Sequence, residues 1–288
     1  MKEVVMRILV IGAGVTGSLL AAGLHQAGHD VTLLARGQRL TDLRRHGVRL
    51  AEGDSTVIRQ VPVPVVDKPA AEYDLIAVSV RPHQVDSVLD QLTAVDGDVV
   101  FMLNWAGGAA PLQKALGPGR VLLASAAGGG TLDGDVIRHR PPGVLTRLAR
   151  MPIGEPDGRT TPRVQRIVRM FRDAGFHYRI EPDMESRLRS HAAFEVPFGQ
   201  AVHQAGGPTQ LAADPEALRT ALRGMRRELT ATGGFAPLRK LPEPLLVPVL
   251  RSFLRSSLAV NSGLSTISPS SAAEYRHLSE QLRAFSSR

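Results

Sequence analysis

The stretch Ile8-Leu9-Val10-Ile11-Gly12-Ala13-Gly14-Val15-Thr16-Gly17-Ser18 decides the fold. Four consecutive apolar residues suit a short strand buried on both faces, as in a parallel sheet. The three glycines are spaced as a dinucleotide-binding turn needs them. Gly12 permits the tight turn, Gly14 lets a pyrophosphate approach the backbone, and Gly17 lets the following helix close on the strand. Ala13, Val15 and Thr16 complete the turn and the helix start, whose N–H groups and positive dipole favour phosphate. A helix follows from Ser18 to Ala27, Gly28 closes it, and Asp30-Val31-Thr32-Leu33-Leu34 is the second strand. This is a βαβ unit with a parallel pair and a right-handed crossover. A glycine-rich turn without a ligand is the alternative reading.

Outward from this unit the alternation continues. Val48 to Ala51, Val57 to Val66, Asp74 to Val80, Val99 to Leu103, Val121 to Ala124, Val144 to Ile153 and Phe176 to Ile180 read as strands. Pro82 to Leu92 and Pro162 to Ala174 read as helices. After Ile180 the strands stop, and residues 185–205, 215–232, 244–260 and 271–285 all show helical periodicity. Pro197 is expected to kink the first of these helices. Ser271 and Glu274 form a plausible capping box for the last. The expected fold class is therefore α/β: a Rossmann-type doubly wound sheet over residues 1–183, followed by an all-helical substrate or dimerisation domain over 184–288.

Composition narrows the function. The chain has 288 residues, 43% hydrophobic and 22% charged, which suits a globular protein. It has no cysteine, so disulfides, thiolate nucleophiles and zinc–thiolate sites are excluded, and no metal site is expected. No apolar run reaches the ~18–20 residues of a membrane helix. The start shows no signal peptide, so a cytoplasmic protein is expected. The net charge of +8 invites a nucleic-acid reading. Against it, the arginines are scattered among acids, and 4% aromatic residues leave few stacking platforms. Attraction of small anionic molecules is the better use of this charge.

The end of the second strand speaks to the cofactor. An NAD-type site usually has an acid there for the ribose hydroxyls. Here Leu33-Leu34-Ala35-Arg36-Gly37-Gln38-Arg39 has none before Asp42. The planar fork of Arg36 suits a 2′-phosphate, with Gln38 or Arg39 in support, so NADP(H) is the expected cofactor. A solvated arginine at a strand end is the plainer alternative.

In combination these features resemble the ketopantoate reductase family of the PanE/ApbA type. Residues 8–17 and Arg36 match it, as does Asp74 to Val85, with Arg81 at the family's lysine. Leu103-Asn104-Trp105-Ala106-Gly107-Gly108 resembles its Asn-Gly-x-Gly turn, and Thr131 to His139 its Gly-x-Val-x-His segment. The resemblance covers residues 6–183, and the helical half fits in length and place. It implies an oxidoreductase with its active site in a cleft between two domains. Asn104 would stand beside nicotinamide and substrate, and Arg81 near the cofactor. Turn asparagines also bond their own backbone, which is the alternative for Asn104.

The resemblance breaks at the proton donor. The family has a lysine at the start of the first helix of its second domain; here Leu188-Arg189-Ser190 falls there, and Ala193 replaces an asparagine one turn later. Arg189 can hold an oxygen or carboxylate but is a poor acid. His191 is titratable, yet two positions turn roughly 200° round a helix, away from the face of Arg189. Water, His203 and Lys240 remain open. Ser262 and Glu274 keep the spacing of the family's substrate-contacting serine and glutamate, without the surrounding pattern, and Glu274 also suits a helix start. Trp105 would line a substrate pocket or pack in a core. The expected function is NADPH-dependent hydride transfer to the carbonyl or imine of a small molecule other than ketopantoate. A non-redox cyclase or lyase and a non-catalytic NADP(H)-binding protein are the rivals. Leu245, Leu246, Val249, Leu250, Phe253 and Leu254 would form a homodimer face or plain core.

Overall fold

The computed structural model describes residues 5–126, 128–139, 150–233, 240–256, 259 and 269–286. The chain forms two compact units. The first holds residues up to Leu103 and again from Ala109 to Met184. The second holds Asn104–Gly108 and everything from Glu185 onward.

In the first unit the elements run β1 (Arg7–Ile11), α1 (Val15–Gln26), β2 (Asp30–Leu34), α2 (Gly37–His46), β3 (Val48–Glu52), β4 (Arg59–Val61), β5 (Val65–Val66) and β6 (Glu72–Val78). There follow a 3-10 turn (Pro82–Gln84), α3 (Asp86–Thr93), β7 (Asp96–Met102), α4 (Ala110–Leu116), β8 (Val121–Ala124), β9 (Gly130–Asp133) and β10 (Val136–His139). Beyond residue 150 come β11 (Met151–Gly154), α5 (Pro162–Asp173) and β12 (Tyr178–Ile180). Eight strands make one sheet in the order β12-β11-β8-β7-β6-β1-β2-β5. Its pairs are parallel except β8–β11, which is antiparallel. β1 lies between β2 and β6, and Ile8, Leu9, Val10 and Ile11 are all buried, as a strand covered on both faces requires.

The α/β reading holds, with local differences. Val48 to Ala51 does form a strand, but β3 joins a second, four-stranded sheet ordered β4-β3-β10-β9. The Val57 to Val66 run breaks into β4 and β5, one in each sheet, at the prolines Pro62 and Pro64, which remove ladder donors. The helix expected from Pro82 begins instead as a 3-10 turn and becomes α-helical at Asp86. Residues 144–149 of an expected strand lie outside the described residues.

The second unit contains α6 (Met184–Ala205, which starts one residue inside the first unit), α7 (Pro208–Ala213), α8 (Pro215–Ala231), α9 (Glu243–Arg255) and α10 (Pro269–Ser286). Its core gathers Val196, Phe198, Leu211, Leu218, Leu222, Met225, Leu250, Leu254 and Leu278, together with Ala106 from the short segment 104–108. α6 and α10 approach closely at Gly199, where a Cβ would fall 2.2 Å from Cζ of Tyr275. On α9, Leu246, Leu250 and Leu254 are buried in this core, while Leu245 and Val249 are exposed. α10 starts at Pro269, so Ser271 and Glu274 lie inside the helix rather than forming its capping box.

Candidate functional site

The glycine turn carries the geometry of a phosphate cradle. Gly12 has φ +108°, and a Cβ there would meet the carbonyl oxygen of Ser79 at 2.4 Å. A Cβ at Gly17 would lie 1.9 Å from the carbonyl oxygen of Gly12, so this glycine lets α1 close on β1. Gly14 differs: it is the exposed N-cap of α1, and a Cβ there would meet nothing within 4 Å. No side chain caps α1 and no acid stands in its first turn, leaving its N–H groups and positive dipole for an external anion. Ala13, Val15 and Thr16 flank this opening, partly buried. The residues present fit a dinucleotide pyrophosphate.

Arg36 follows β2 and is the exposed N-cap of α2. It borders a hollow whose other lining includes Asp67, Lys68, Ala70, Gln91 and Val95. Asp67 pairs with Arg44 at 3.6 Å, which leaves Arg36 and Lys68 as the cations of this hollow without a carboxylate partner among the described residues. Lys68 was not singled out in the sequence; it arrives because β5 runs parallel to β2 and ends beside it. The two residues expected to assist Arg36 are engaged elsewhere. Gln38 donates from Nε2 to Asp42 at 2.8 Å. Arg39 turns inward, donating to the Ala13 carbonyl at 3.0 Å, to the Asp135 carbonyl at 3.1 Å and to Ser18 Oγ at 3.4 Å. It fastens the glycine turn to the second sheet. Beside it the Asp135 carboxyl is held below the usual carboxylate range by hydrogen bonds from Arg49 and then His46, against partial burial. Arg81 is half-buried at the start of the 3-10 turn, where its backbone N–H donates to Gln84 Oε1 at 3.1 Å.

In the second unit, the segment 104–108 is clamped by α10 and approached by α6. Asn104 Nδ2 donates to Glu274 Oε1 at 3.0 Å, so its Oδ1 is left to accept. The backbone N–H of Ala106 donates to Gln281 Oε1 at 2.9 Å. Trp105 is buried, donates from Nε1 to the Gly108 carbonyl at 2.7 Å, and lies 6.1 Å from the His277 ring between centroids. Gly108 has φ +74°, and a Cβ there would stand 3.3 Å from a Glu185 carboxylate oxygen. Glu274, His277 and Gln281 sit at i, i+3 and i+7 of α10 and therefore share a face. His277 and Gln281, which join Glu274 on this face, are residues that no sequence motif marks, since what gives them meaning is their contact with segment 104–108.

Arg189 lies against Glu185 and not in open space. Its Nη1 donates to Glu185 Oε2 at 3.1 Å, and its guanidinium carbon sits 4.2 Å from the Phe285 ring centroid. Its Nε is buried without a hydrogen-bond partner. His191 projects elsewhere, as the helical angle implies: it forms an ion pair with Glu195 at 3.3 Å and half its side chain is exposed. Desolvation pulls its pKa down, but the hydrogen bond and the charge of Glu195 together, helped by Glu274 and opposed by Arg187, outweigh it, and the net shift is upward. His203 Nδ1 is buried without a partner, and Lys240 is exposed. Ser262 lies outside the described residues. Among the described residues no helix is long and apolar enough to cross a membrane, and no three His, Asp or Glu side chains group as metal ligands.

Comparison with known proteins gives the same direction. Residues 8–149, just under half the chain, match the family model "Ketopantoate reductase PanE/ApbA". A 2-dehydropantoate 2-reductase of Archaeoglobus fulgidus is 29% identical over 189 residues, covering 65% of this chain and 60% of that protein. The chain thus matches only about three fifths of that relative's length. Among solved structures, 2-dehydropantoate 2-reductase from Geobacter metallireducens superposes with a TM-score of 0.71 at 17% identity, covering 98% of each chain. D-mandelate dehydrogenase, solved with NADH and anilino(oxo)acetate, gives 0.73 at 11% identity, covering 96% of this chain and 99% of that one. The fold is that of these solved structures, and residues 8–149 are similar to the ketopantoate reductase PanE/ApbA family.

Proposed function

We propose that the chain is an oxidoreductase that binds NADP(H) and passes hydride to the carbonyl or imine carbon of a small molecule other than ketopantoate. The observation that carries the reading is the open backbone at Gly14 before an uncapped α1, in a chain whose residues 8–149 match the reductase family. The turn would hold the pyrophosphate. Arg36, with Lys68, would hold the 2′-phosphate through charge-assisted hydrogen bonds. When bound, the nicotinamide supplies the hydride.

The chain's own residues would then do the positioning. Asn104, fixed by Glu274, presents a hydrogen-bonding amide to substrate. Arg189, where the family has its lysine, is an unsuitable acid because a guanidinium keeps its proton. Its partner Glu185 also makes it a less available clamp than sequence alone suggested. This change in polar equipment is the ground for a substrate other than ketopantoate.

The test is NADPH oxidation by the purified protein with ketopantoate, then with bulkier 2-oxo acids, ketones and cyclic imines. Turnover of the bulkier compounds alone is the expected result. Turnover of ketopantoate overturns the substrate argument. NADPH binding without oxidation of any compound transfers the case to a non-redox enzyme or a cofactor-binding protein.

A further inference from the structure

We propose that His277 is a substrate-binding residue, donating a hydrogen bond from Nδ1 to an acceptor oxygen of the ligand held at Asn104 and Trp105. The proposal deepens the reductase reading and rests on it for the nature of that ligand.

One group in this corner has a fixed role. The backbone N–H of Ala106 can only donate, and it points at Gln281 at 2.9 Å. The Gln281 atom that receives it is therefore the amide oxygen. The other end of that amide is the nitrogen, which carries only donors. It lies 3.1 Å from His277 Nε2. Two N–H groups cannot face each other at that distance, so Nε2 is the accepting nitrogen and the ring proton sits on Nδ1. The tautomer of a histidine is set by the bond its other nitrogen makes. Here it is set by a relay from backbone to amide to ring.

The rest of the geometry makes the arrangement firm. A Cβ on Gly107 would lie 3.1 Å from Gln281 Nε2 and 3.2 Å from the Trp105 ring, so glycine at this position lets the amide enter. Trp105 is locked by its bond to the Gly108 carbonyl, and the His277 ring packs beside it. Among the described residues Nδ1 has no partner of its own. It shares a helix face with Glu274, one turn away, which holds Asn104 at 3.0 Å. The site thus presents a donor at His277 and an acceptor at Asn104 Oδ1. A hydroxyl oxygen of an alcohol would meet both, accepting from Nδ1 and donating to Oδ1, while the carbonyl oxygen of a 2-oxo acid or ketone would accept from Nδ1 alone. A neutral imidazole that polarises an oxygen by hydrogen bonding needs no proton transfer of its own.

The experiment has two arms. Long-range 1H–15N spectra of the intact protein without cofactor read the tautomer directly. The expected result is protonated Nδ1 in the wild type, and a shift toward protonated Nε2 in Gln281→Glu, whose carboxylate accepts instead of donating. Protonated Nε2 in the wild type overturns the proposal, whatever the enzyme's reaction. In the second arm, NADPH-loaded protein is titrated with oxamate, an inert mimic of a 2-oxo acid. An asparagine amide reaches roughly where Nδ1 stands, and a glutamine amide where Nε2 stands. His277→Asn is therefore expected to keep oxamate affinity within about 3-fold, while His277→Gln loses about 10-fold or more, the worth of one hydrogen bond. Equal losses in the two folded variants, or no response of the ring to oxamate, overturn the ligand role. Failure of the reductase reading shows separately, as NADPH that neither binds nor is oxidised.

Discussion

Replacing Gly14 and Gly17 by alanine one at a time separates what the turn does for the fold from what it does for a ligand. At Gly14 the new Cβ meets nothing within 4 Å, and the backbone, at φ −74° and ψ −167°, is open to any residue. Alanine at an N-cap is a poor replacement, costing about 0.5–1 kcal/mol relative to glycine. The lost chain entropy of the unfolded state returns about 0.4–1 kcal/mol. The two nearly cancel, so stability is expected within about 1 kcal/mol of wild type. The same methyl occupies the approach of a pyrophosphate to the α1 amides. Each charge-assisted hydrogen bond lost there is worth about 1.5–3 kcal/mol, which is about 10- to 150-fold in Kd. At Gly17 the Cβ would lie 1.9 Å from the Gly12 carbonyl oxygen, well inside van der Waals contact. Overpacking of this kind costs about 1–3 kcal/mol, and at about 2–4 °C per kcal/mol the melting point falls by about 2–12 °C. Thermal unfolding and NADPH fluorescence titration read both. If Gly14→Ala binds NADPH as tightly as wild type, the turn is architecture alone and the dinucleotide reading fails.

Two further outcomes test neighbouring parts. Arg36→Ala is expected to weaken NADPH by about 10- to 150-fold, one charge-assisted contact, and to leave NADH within about 2-fold; Lys68→Ala does the same to a smaller degree. Equal losses for both nucleotides in isothermal titration would remove the 2′-phosphate assignment. Asp135 is held below its ordinary pKa by Arg49 and His46, so its contribution to stability is complete above about pH 4 and is lost as pH falls through the lower folded value. Chemical denaturation at pH 7 and pH 3 should show Asp135→Asn less stable than wild type at pH 7, with the gap closing in acid. A gap that stays constant would show that the carboxylate charge is not what matters.

The strand–turn–helix–strand of residues 7–34 was legible because its apolar run, glycine spacing and cap residue all point the same way. The four-stranded sheet was not. β4 has three residues and β9 is mostly exposed, so neither shows a periodic apolar face. α2 escaped notice because only Leu43 is buried along it. In the helical unit, the capping-box pattern at Ser271 and Glu274 misled: it is a local signal, and the helix starts two residues earlier at a proline. Asn104, Arg189 and Glu274 were legible only as matches to a family pattern, and His191 only as the titratable group nearest Arg189; the structure ties Asn104 to Glu274 but Arg189 to Glu185. His277 and Gln281 were beyond reach, because their meaning depends on Ala106, separated from Gln281 by 175 positions.

The membership of Asn104–Gly108 in the helical unit has a consequence for how this chain can be cut and recombined. A fragment beginning at Glu185 would carry Glu274 and Gln281 without Asn104 and the Ala106 N–H, and its core would lack Ala106. The helical half is therefore not a transplantable module, although it is continuous in sequence but for five residues. A chimera with a relative keeps this corner only if those five residues travel with the helices. During synthesis the same bonds must wait, because the partners on α10 follow 170 and 175 positions further along the chain.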